Sequence, residues 1–386
     1  MDIRINSVSF RIFRSEITDL LWTISKKINS IGIKMGDRNK PSVLFLYYPN
    51  AIAESQLYPF FLNRKEITAK YNLDFYMRSV DTVKEVINED IYNPRIILIQ
   101  VHFHSTKKFI DSLFLALKNK WPAAKIILMD WYATSDLRLL DSLDSYIDQY
   151  VKKTLFVESQ NYDHDYFGDT NLMDYYGKIY NCDHKTKRYL VPASIDKKLT
   201  NGVGFLTAPY LRSLFSHCLQ PNETRFIDLN ARFSTSGSQW YSSMRNSALA
   251  VASDLPAKYK VATGPLKKRI YLDELSHCKT TLSPFGYGEI CWRDYEAIAM
   301  GSLLFKPNMG HLTTNPDIFC PYETYIPIAW DFSDFKDKFI YYLERPKEIE
   351  RIASNAYQVC HQYLKNGLFL NHVDNLFADQ NENGTI

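Results

Sequence analysis

The chain has 386 residues, of which 46% are hydrophobic and 15% aromatic, and its 46 lysine and arginine side chains nearly balance 43 carboxylates. This length predicts two domains of ordinary size, and the composition excludes a disordered or fibrous protein. A formal net charge of +3 gives no support to nucleic-acid binding, which needs a strongly basic face. The six cysteines form no C-x-x-C pairs, which favours free thiols over a zinc site or a disulfide frame.

Residues 1–40 are expected to form a helical segment ahead of the first domain. Apolar side chains recur there at helical spacing, at Ile17, Leu20, Leu21, Ile24 and Ile28. We favour a helix docked on the first domain, and the alternative is an amphipathic helix touching an anionic membrane surface. The chain lacks an apolar run of the roughly 18 residues that span a bilayer, and its start lacks a signal-peptide core. We therefore expect a cytoplasmic protein, with peripheral contact at the inner face of the membrane left open.

Strands alternate with helices through the first part of the chain. Buried strands are predicted at residues 42–48, 73–77, 95–101, 125–129 and 146–151, with helices at 53–70, 80–88 and 107–120. This alternation predicts a parallel sheet covered by helices on both faces. Residues 160–200 are poor in apolar runs and are expected to be an excursion plus a linker, so the first domain takes residues 1–200.

Polar side chains follow three of these strands at the point where each strand ends. His102 and His104 follow the third strand, Asp130 and Asp136 the fourth, and Glu158 the fifth. Because ligands bind at the carboxyl ends of strands in open α/β sheets, we expect these groups to line a cleft. Asp130 and Glu158 are candidate catalytic carboxylates, although Glu158 fits a solvated loop residue equally well. The two histidines are better interpreted as cleft-lining residues than as metal ligands, since no third ligand lies at a suitable spacing in the sequence.

A second alternation occupies residues 201–365. Strands are predicted at residues 225–229, 259–263, 279–283, 302–305 and 325–328, with helices from about 239 and at 271–276, 333–342 and 347–364. Asp228, in the first of these strands, is a candidate nucleophile or base, or else a residue that caps the next loop through backbone N–H groups. Arg232, just after this strand, is a candidate ligand for a phosphate.

The stretch LSPFGYGEICWRDYEAIAMGSLLFKPNMGH, residues 282–311, predicts a glycine turn, a helix, a buried strand and a loop. A glycine turn before a helix N-terminus offers unpaired N–H groups and the positive end of a dipole, a site for an anion such as phosphate. Glu296 can accept hydrogen bonds from both hydroxyls of a ribose, and Arg293 can offset phosphate charge. The ligand-binding candidates in this stretch are Ser283, Gly286, Tyr287, Gly288, Glu289, Arg293 and Glu296.

The run FGYGE..WRDYEAIAMGSLLF resembles the donor-binding signature of GT-B-fold glycosyltransferases, in particular the exostosin-like and bacterial capsule or lipopolysaccharide enzymes with an R-x-x-E-A-x-A-x-G core. The resemblance implies two Rossmann-like domains facing across a cleft, with Glu296 on the donor ribose and the glycine loop at the phosphate. Many retaining members carry a further glutamate whose place falls on Gly288 here, so a catalytic role for Glu289 is in doubt. The resemblance also implies that residues 366–386 form a helix crossing back to the first domain, followed by a flexible tail.

The predicted function is transfer of a sugar from a nucleotide-activated donor to a glycan or lipid-linked glycan in bacterial surface polysaccharide synthesis, of lipopolysaccharide O-antigen or capsule. His102, His104 and Asp136 are the acceptor-side candidates. No metal or cofactor is expected beyond the nucleotide sugar, because a helix N-terminus and arginine can neutralise the leaving phosphate.

The reaction course stays open at this point. The chain also resembles the β-Kdo transferases, which makes CMP-Kdo a candidate donor, with Asp228 as nucleophile and Glu158 assisting as acid or base. If the enzyme inverts instead, Asp130, Asp136 or Glu158 could serve as the base for an NDP-sugar. The remaining alternatives are a nucleotide-sugar epimerase and a non-catalytic glycan-binding module.

Overall fold

The computed structural model describes residues 8–31, 40–89, 93–102, 104–216 and 225–377. The strands, β1 to β15 in chain order, are Ser42–Tyr47, Asp74–Ser79, Pro94–Ile99, Lys125–Asp130, Gln149–Lys152, Thr154–Phe156, Tyr166–Phe167, Thr186–Lys187, Leu199–Asn201, Ile227–Asn230, Val261–Ala262, Cys278–Leu282, Leu303–Pro307, Leu312–Thr314 and Ile326–Ile328. The helices, α1 to α15, are Val8–Ile31, Ala51–Glu54, Tyr58–Leu62, Arg64–Tyr71, Val83–Asn88, Lys107–Lys120, Leu140–Leu143, Asn171–Ile179, Pro209–Leu214, Gln239–Ser253, Lys268–Leu275, Trp292–Ala299, Phe335–Leu343, Pro346–Lys365 and Phe369–Phe377. The predicted flexible tail beyond residue 377 lies outside the described residues.

Two parallel sheets organise the chain. The first has the strand order β2-β1-β3-β4-β5-β9 and the second β11-β10-β12-β13-β15. In both, the first five strands follow the order 2-1-3-4-5 of a doubly wound fold, which opens a crevice where the order reverses. Central strands are continuous apolar runs because both of their faces are covered, as at Val43 to Leu46, all fully buried. The predicted fold class, two Rossmann-like α/β domains, is confirmed.

Residues 160–200 are more ordered than their composition indicated. The structure places α8 there, with Leu172 and Tyr176 fully buried, and β9 extends the first sheet by a sixth strand. Thr170 caps α8 by accepting a hydrogen bond from the N–H of Met173 at 3.0 Å. The interpretation of this segment as an excursion plus a linker stays a prediction, although the segment contains a docked helix and a strand of the first sheet.

Several contacts hold the two domains together. Strand β6 of the first domain pairs antiparallel with β14 of the second, and the N–H of Val157 donates to the carbonyl of His311 at 3.0 Å. At the chain's other end, the rings of Phe369 and Phe377 in α15 pack against Phe60 of the first domain, with centroids 5.0 and 6.1 Å apart. These contacts bring the carboxyl ends of the two sheets towards each other.

Helix α1 contacts both domains, rather than the first domain alone as we expected. Arg11 donates from Nη1 to the carbonyls of Leu214 (3.0 Å) and Ala299 (3.4 Å), at the ends of α9 and α12. Further along α1, the Trp22 ring packs edge-on against Tyr58 of the first domain at 4.8 Å. The opposite side of α1 leaves large apolar side chains exposed, at Phe13, Ile17, Leu20 and Leu21. Within the described ranges, no helix is both long and apolar enough to cross a membrane.

Candidate active site

The glycine turn lies between β12 and α12, at the carboxyl edge of the second sheet. A hydrogen bond from the N–H of Gly286 to the carbonyl of Gly288 closes it at 2.9 Å. Gly288 presses against the loop that follows β4 in the first domain: a Cβ on this residue would lie 1.8 Å from the carbonyl oxygen of Ala133. Only glycine allows this approach, so the turn is part of the contact between the domains.

A buried ion pair fixes the turn to α12. Asp294 accepts hydrogen bonds from Ser283 Oγ at 2.6 Å and from the N–H of Cys291 at 2.8 Å. Lys306 Nζ lies 2.9 Å from Asp294 Oδ2, and both side chains are fully buried. The Lys306 ammonium has no well-aligned hydrogen bond there, so the contact is an ion pair. Because Lys306 neutralises Asp294, the start of α12 keeps the positive dipole end that attracts an anion.

Two arginines lie beside this helix start without a carboxylate partner. Arg245 donates to the carbonyls of Phe285 (2.9 Å) and Ser234 (2.8 Å), while Arg293 Nη1 lies 3.3 Å from Ser283 Oγ. Burial is the largest cause that lowers the pKa of Arg245, and the charge of Arg293 adds to it. In the part of the chain that the structure describes, neither guanidinium forms an ion pair. Guanidinium groups that form no ion pair beside a helix N-terminus are suited to bind an anion.

The stacked rings of Tyr287 and Tyr241 lie next to these arginines. Their rings stack with centroids 4.5 Å apart, and the Tyr287 hydroxyl accepts a hydrogen bond from the N–H of Ser238 at 3.0 Å. The Tyr241 ring also lies 4.4 Å from the Arg245 guanidinium. Tyr287 remains half exposed, so its ring is available to contact a sugar or a base.

Glu296 is nearly buried on the second turn of α12. Its Oε1 accepts a hydrogen bond from the hydroxyl of Tyr210 at 3.0 Å, and Lys268 Nζ lies 3.3 Å from the centroid of the Tyr210 ring. Burial raises the pKa of Glu296, and the charges of Lys268 and Arg293 oppose that change. Tyr210 thus occupies one carboxylate oxygen, and the role of Glu296 as a ribose ligand stays a prediction.

Glu289 is completely buried where the two domains meet. Its Oε1 accepts a hydrogen bond from Asn171 Nδ2 of the first domain at 2.7 Å and lies 3.5 Å from His311 Nε2. Its Oε2 has no partner among the residues described. Sequence reasoning named Glu289 as a ligand-binding candidate with a catalytic role in doubt, and this binding role stays a prediction. It missed Asn171 altogether, because only the folded chain brings these side chains together. The structure thus offers one carboxylate oxygen for a further hydrogen bond beside the glycine turn.

Two predicted site residues, Asp228 and Arg232, have side chains that are bound by other residues of the second domain. Asp228 accepts hydrogen bonds from Lys279 Nζ (2.7 Å) and from the N–H of Lys260 (2.8 Å), neither of which lies in the loop that follows β10. Arg232 forms a bidentate pair with Glu274, at 2.6 and 2.7 Å. The structure does not bring Asp228 to the arginine pair, and the roles of both residues stay predictions.

The Asp130 side chain is likewise bound by other residues, all of them inside the first domain. Its carboxylate accepts hydrogen bonds from Lys152 Nζ at 2.8 Å and from the Tyr150 hydroxyl at 2.6 Å, and its side chain is 1% exposed. Glu158, by contrast, is exposed just after β6, in agreement with a solvated loop residue. Neither residue contacts the glycine turn, so their catalytic roles stay predictions.

The acceptor-side candidates form two groups in the first domain. His102 and His104 have ring centroids 5.2 Å apart, and burial followed by the charge of His104 lowers the pKa of His102. Asp136 pairs with Arg138 at 2.7 Å, and although burial alone would raise its pKa, Arg138 holds the pKa below its usual value. Within the described ranges, no cluster of three His, Cys, Asp or Glu side chains forms a metal site.

Lys153, at the end of β5, reaches towards the second domain. Its Nζ donates to the carbonyl of Ile52 at 3.2 Å and lies 4.4 Å from the Phe205 ring, which stacks on Trp292 of α12 at 4.1 Å. Burial lowers the pKa of Lys153 to about 7. A lysine that is partly neutral at physiological pH therefore lies between the first domain and the helix that carries Arg293 and Glu296.

Comparison of the sequence with family models and with curated proteins finds no match. Among solved structures, HepE from Anabaena in complex with UDP is 10% identical, with 86% of this chain and 100% of that chain covered and a TM-score of 0.49. A glycosyltransferase from Rickettsia africae is 11% identical over 88% of this chain and 100% of that chain, with a TM-score of 0.48. A UDP-N-acetylglucosamine 2-epimerase candidate from Listeria monocytogenes is 10% identical, with 88% of this chain and 98% of that chain covered and a TM-score of 0.42.

Proposed function

We propose that the protein is a glycosyltransferase that binds a nucleotide-activated sugar at the glycine turn and the start of α12. The observation that carries this proposal is the pair Arg245 and Arg293, which lacks carboxylate partners in the described structure and lies at a helix N-terminus. This anion site lies at the carboxyl edge of the second sheet and contacts the first domain through Gly288. A nucleotide diphosphate bound there would present its sugar to an acceptor held by the first domain.

The two arginines and the α12 N-terminus would stabilise the negative charge that grows on the leaving phosphate. Glu296 would hold the ribose hydroxyls, with Tyr210 as its neighbour. Glu289, with one unused oxygen at the domain contact, would accept a hydrogen bond from the sugar or its acceptor. In this scheme all of the charge neutralisation comes from the protein, without a metal ion.

A nucleoside diphosphate sugar fits the paired arginines, whereas CMP-Kdo with Asp228 as nucleophile requires a carboxylate that is already bound by Lys279. The acceptor, a glycan or lipid-linked glycan of bacterial surface polysaccharide, rests on the sequence resemblance alone. We also propose a cytoplasmic location with peripheral membrane contact through α1, supported by the exposed Phe13, Ile17, Leu20 and Leu21.

The reaction itself tests the proposal. The purified protein is incubated with CMP-Kdo and with UDP-, GDP-, ADP- and dTDP-sugars, each with and without a mixture of oligosaccharide acceptors, and free nucleotide is measured. We expect one donor to release nucleotide at least about 10-fold faster with acceptor, because transfer completes only when the acceptor attacks. Formation of an isomeric nucleotide sugar without acceptor, detected by NMR and without free nucleotide, would identify an epimerase instead. Intact donor under all conditions would favour a glycan-binding module.

A further inference from the structure

A cavity of about 1010 Å³ lies between α1, the end of α3, the start of α4, α9 and α14. Arg212 lines it from α9, two residues after Tyr210, the residue that contacts Glu296. Side chains two positions apart on an α-helix point in nearly opposite directions, so α9 separates this cavity from the proposed donor site. The cavity has no role in the reaction described above.

The cavity is strongly basic. Its basic lining residues are Arg14, Arg64, Arg212, His361 and Lys365, and none of the lining residues within the described ranges is acidic. Arg14, Arg212 and Lys365 form no ion pair there, and all three are exposed to solvent at the cavity mouth. Unneutralised arginines favour phosphate, which they bind through two parallel hydrogen bonds.

One side of the same cavity is apolar. This side consists of Leu21, Trp22, Phe61, Leu62 and Leu364. Leu21 is also 56% exposed, and the apolar surface continues from it along α1 through the exposed Leu20, Ile17 and Phe13. A small water-soluble phosphate would not use this surface, whereas a ligand with a phosphate and a hydrocarbon chain would contact both sides of the cavity.

The carboxylates on α1 do not oppose an anionic ligand. Asp19 Oδ2 lies 3.6 Å from Lys268 Nζ, and Glu16 Oε2 lies 4.0 Å from Arg269 Nη1, both on α11. These contacts leave the charge of the face around α1 positive. An apolar helix face beside unpaired basic residues is the pattern of a helix that lies in the interface of an anionic membrane.

We propose that this cavity binds the phosphate headgroup and the adjoining hydrocarbon of an anionic phospholipid, and that α1 docks the protein on a membrane surface. This inference rests on the membrane contact proposed above, and it is independent of the transfer reaction. Arg14, Arg212 and Lys365 would hold the lipid phosphate, while Leu20, Leu21 and Trp22 would contact the acyl region.

Vesicle binding by the full-length protein tests this proposal. Co-sedimentation is measured with phosphatidylcholine vesicles and with vesicles containing about 30% phosphatidylglycerol. The cavity variant carries Arg14→Gln, Arg212→Gln and Lys365→Gln, and the matched control carries Lys84→Gln, Lys258→Gln and Lys347→Gln, three exposed lysines that do not line the cavity. A basic residue near an anionic surface contributes about a fivefold gain in binding, so we expect the cavity variant to lose about 100-fold in partitioning and the control less than about 5-fold. A second variant, Leu20→Ser with Leu21→Ser, should lose binding to the same vesicles while keeping the net charge.

The proposal is overturned if the cavity variant and the control bind equally, if anionic and neutral vesicles bind alike, or if only glycerol 3-phosphate binds. Self-association without vesicle binding would likewise assign the surface to a second copy of the chain. Donor turnover with soluble acceptor provides the second readout, and the cavity variant should retain it. Vesicle binding without turnover would remove the transferase proposal alone, and turnover without vesicle binding would remove this one alone.

Discussion

Replacing Gly288 with alanine is expected to lower the rate of sugar transfer by about 100-fold or more. The new Cβ would lie 1.8 Å from the Ala133 carbonyl oxygen and 2.5 Å from its carbonyl carbon. These are backbone atoms, which cannot relieve the overlap by a rotamer change as a flexible side chain can. The domains must therefore separate, or the turn must move away from the start of α12. Either change misplaces the donor relative to the acceptor.

Gly286→Ala is the matched control in the same turn. Its Cβ would meet Cys291 Sγ and the Gly288 carbonyl at 3.4 Å, which is close to ordinary contact distance. We expect less than about 10-fold loss of kcat/KM for this variant. Small-angle scattering should also report a larger radius of gyration for Gly288→Ala alone. Normal turnover and unchanged dimensions for Gly288→Ala would show that contact between the turn and the first domain is dispensable.

Replacing Lys306 with methionine is expected to destabilise the second domain by about 3–5 kcal/mol, because it leaves the buried carboxylate of Asp294 without a counter-charge. Both side chains have zero exposed surface, so water cannot take the place of the missing ammonium. Asp294 also holds Ser283 and the N–H of Cys291, so the glycine turn should loosen before the domain unfolds. Urea unfolding followed by fluorescence measures the change.

An exposed ion pair provides the control for this prediction. Lys336 and Asp254 lie 2.8 Å apart at the surface, and Lys336→Met should leave the urea midpoint nearly unchanged. The double variant Lys306→Met with Asp294→Leu should recover part of the lost stability, since it removes both buried charges. A single variant Lys306→Met that is as stable as wild type would mean that Asp294 does not carry a charge in the folded protein.

The sequence was most informative where local chemistry decides the structure. The helix Lys107–Lys120 was predicted at its observed bounds, because its apolar side chains recur on one face. The strands β1, β3 and β4 were recognised because buried parallel strands are nearly continuous apolar runs. The glycine turn before α12 was predicted for a similar reason, since glycine spacing and helix periodicity are local properties.

Contacts between distant segments were not predictable from the sequence. Asn171 donates to Glu289 across 118 positions of the chain, and no local pattern in either segment indicates this contact. Asp228 illustrates the same limit: the strand register pairs Ile227 with Cys278 and so places Asp228 beside Lys279. Sequence periodicity gives the face of a strand on which a side chain lies, but it does not give the register with the next strand.

The most direct measurement is a thermal-shift comparison with CMP, UDP, GDP, ADP and dTDP. It uses wild-type protein, the variant Arg245→Gln with Arg293→Gln, and a control with Arg188→Gln and Arg351→Gln, two exposed arginines paired with surface carboxylates. We expect one nucleotide to raise the melting temperature of the wild type and the control, since a ligand that binds only the folded state stabilises it. The Arg245 and Arg293 variant should lose that shift. If no nucleotide stabilises the wild type, or if this variant keeps the full shift, the donor site does not lie at the glycine turn and α12.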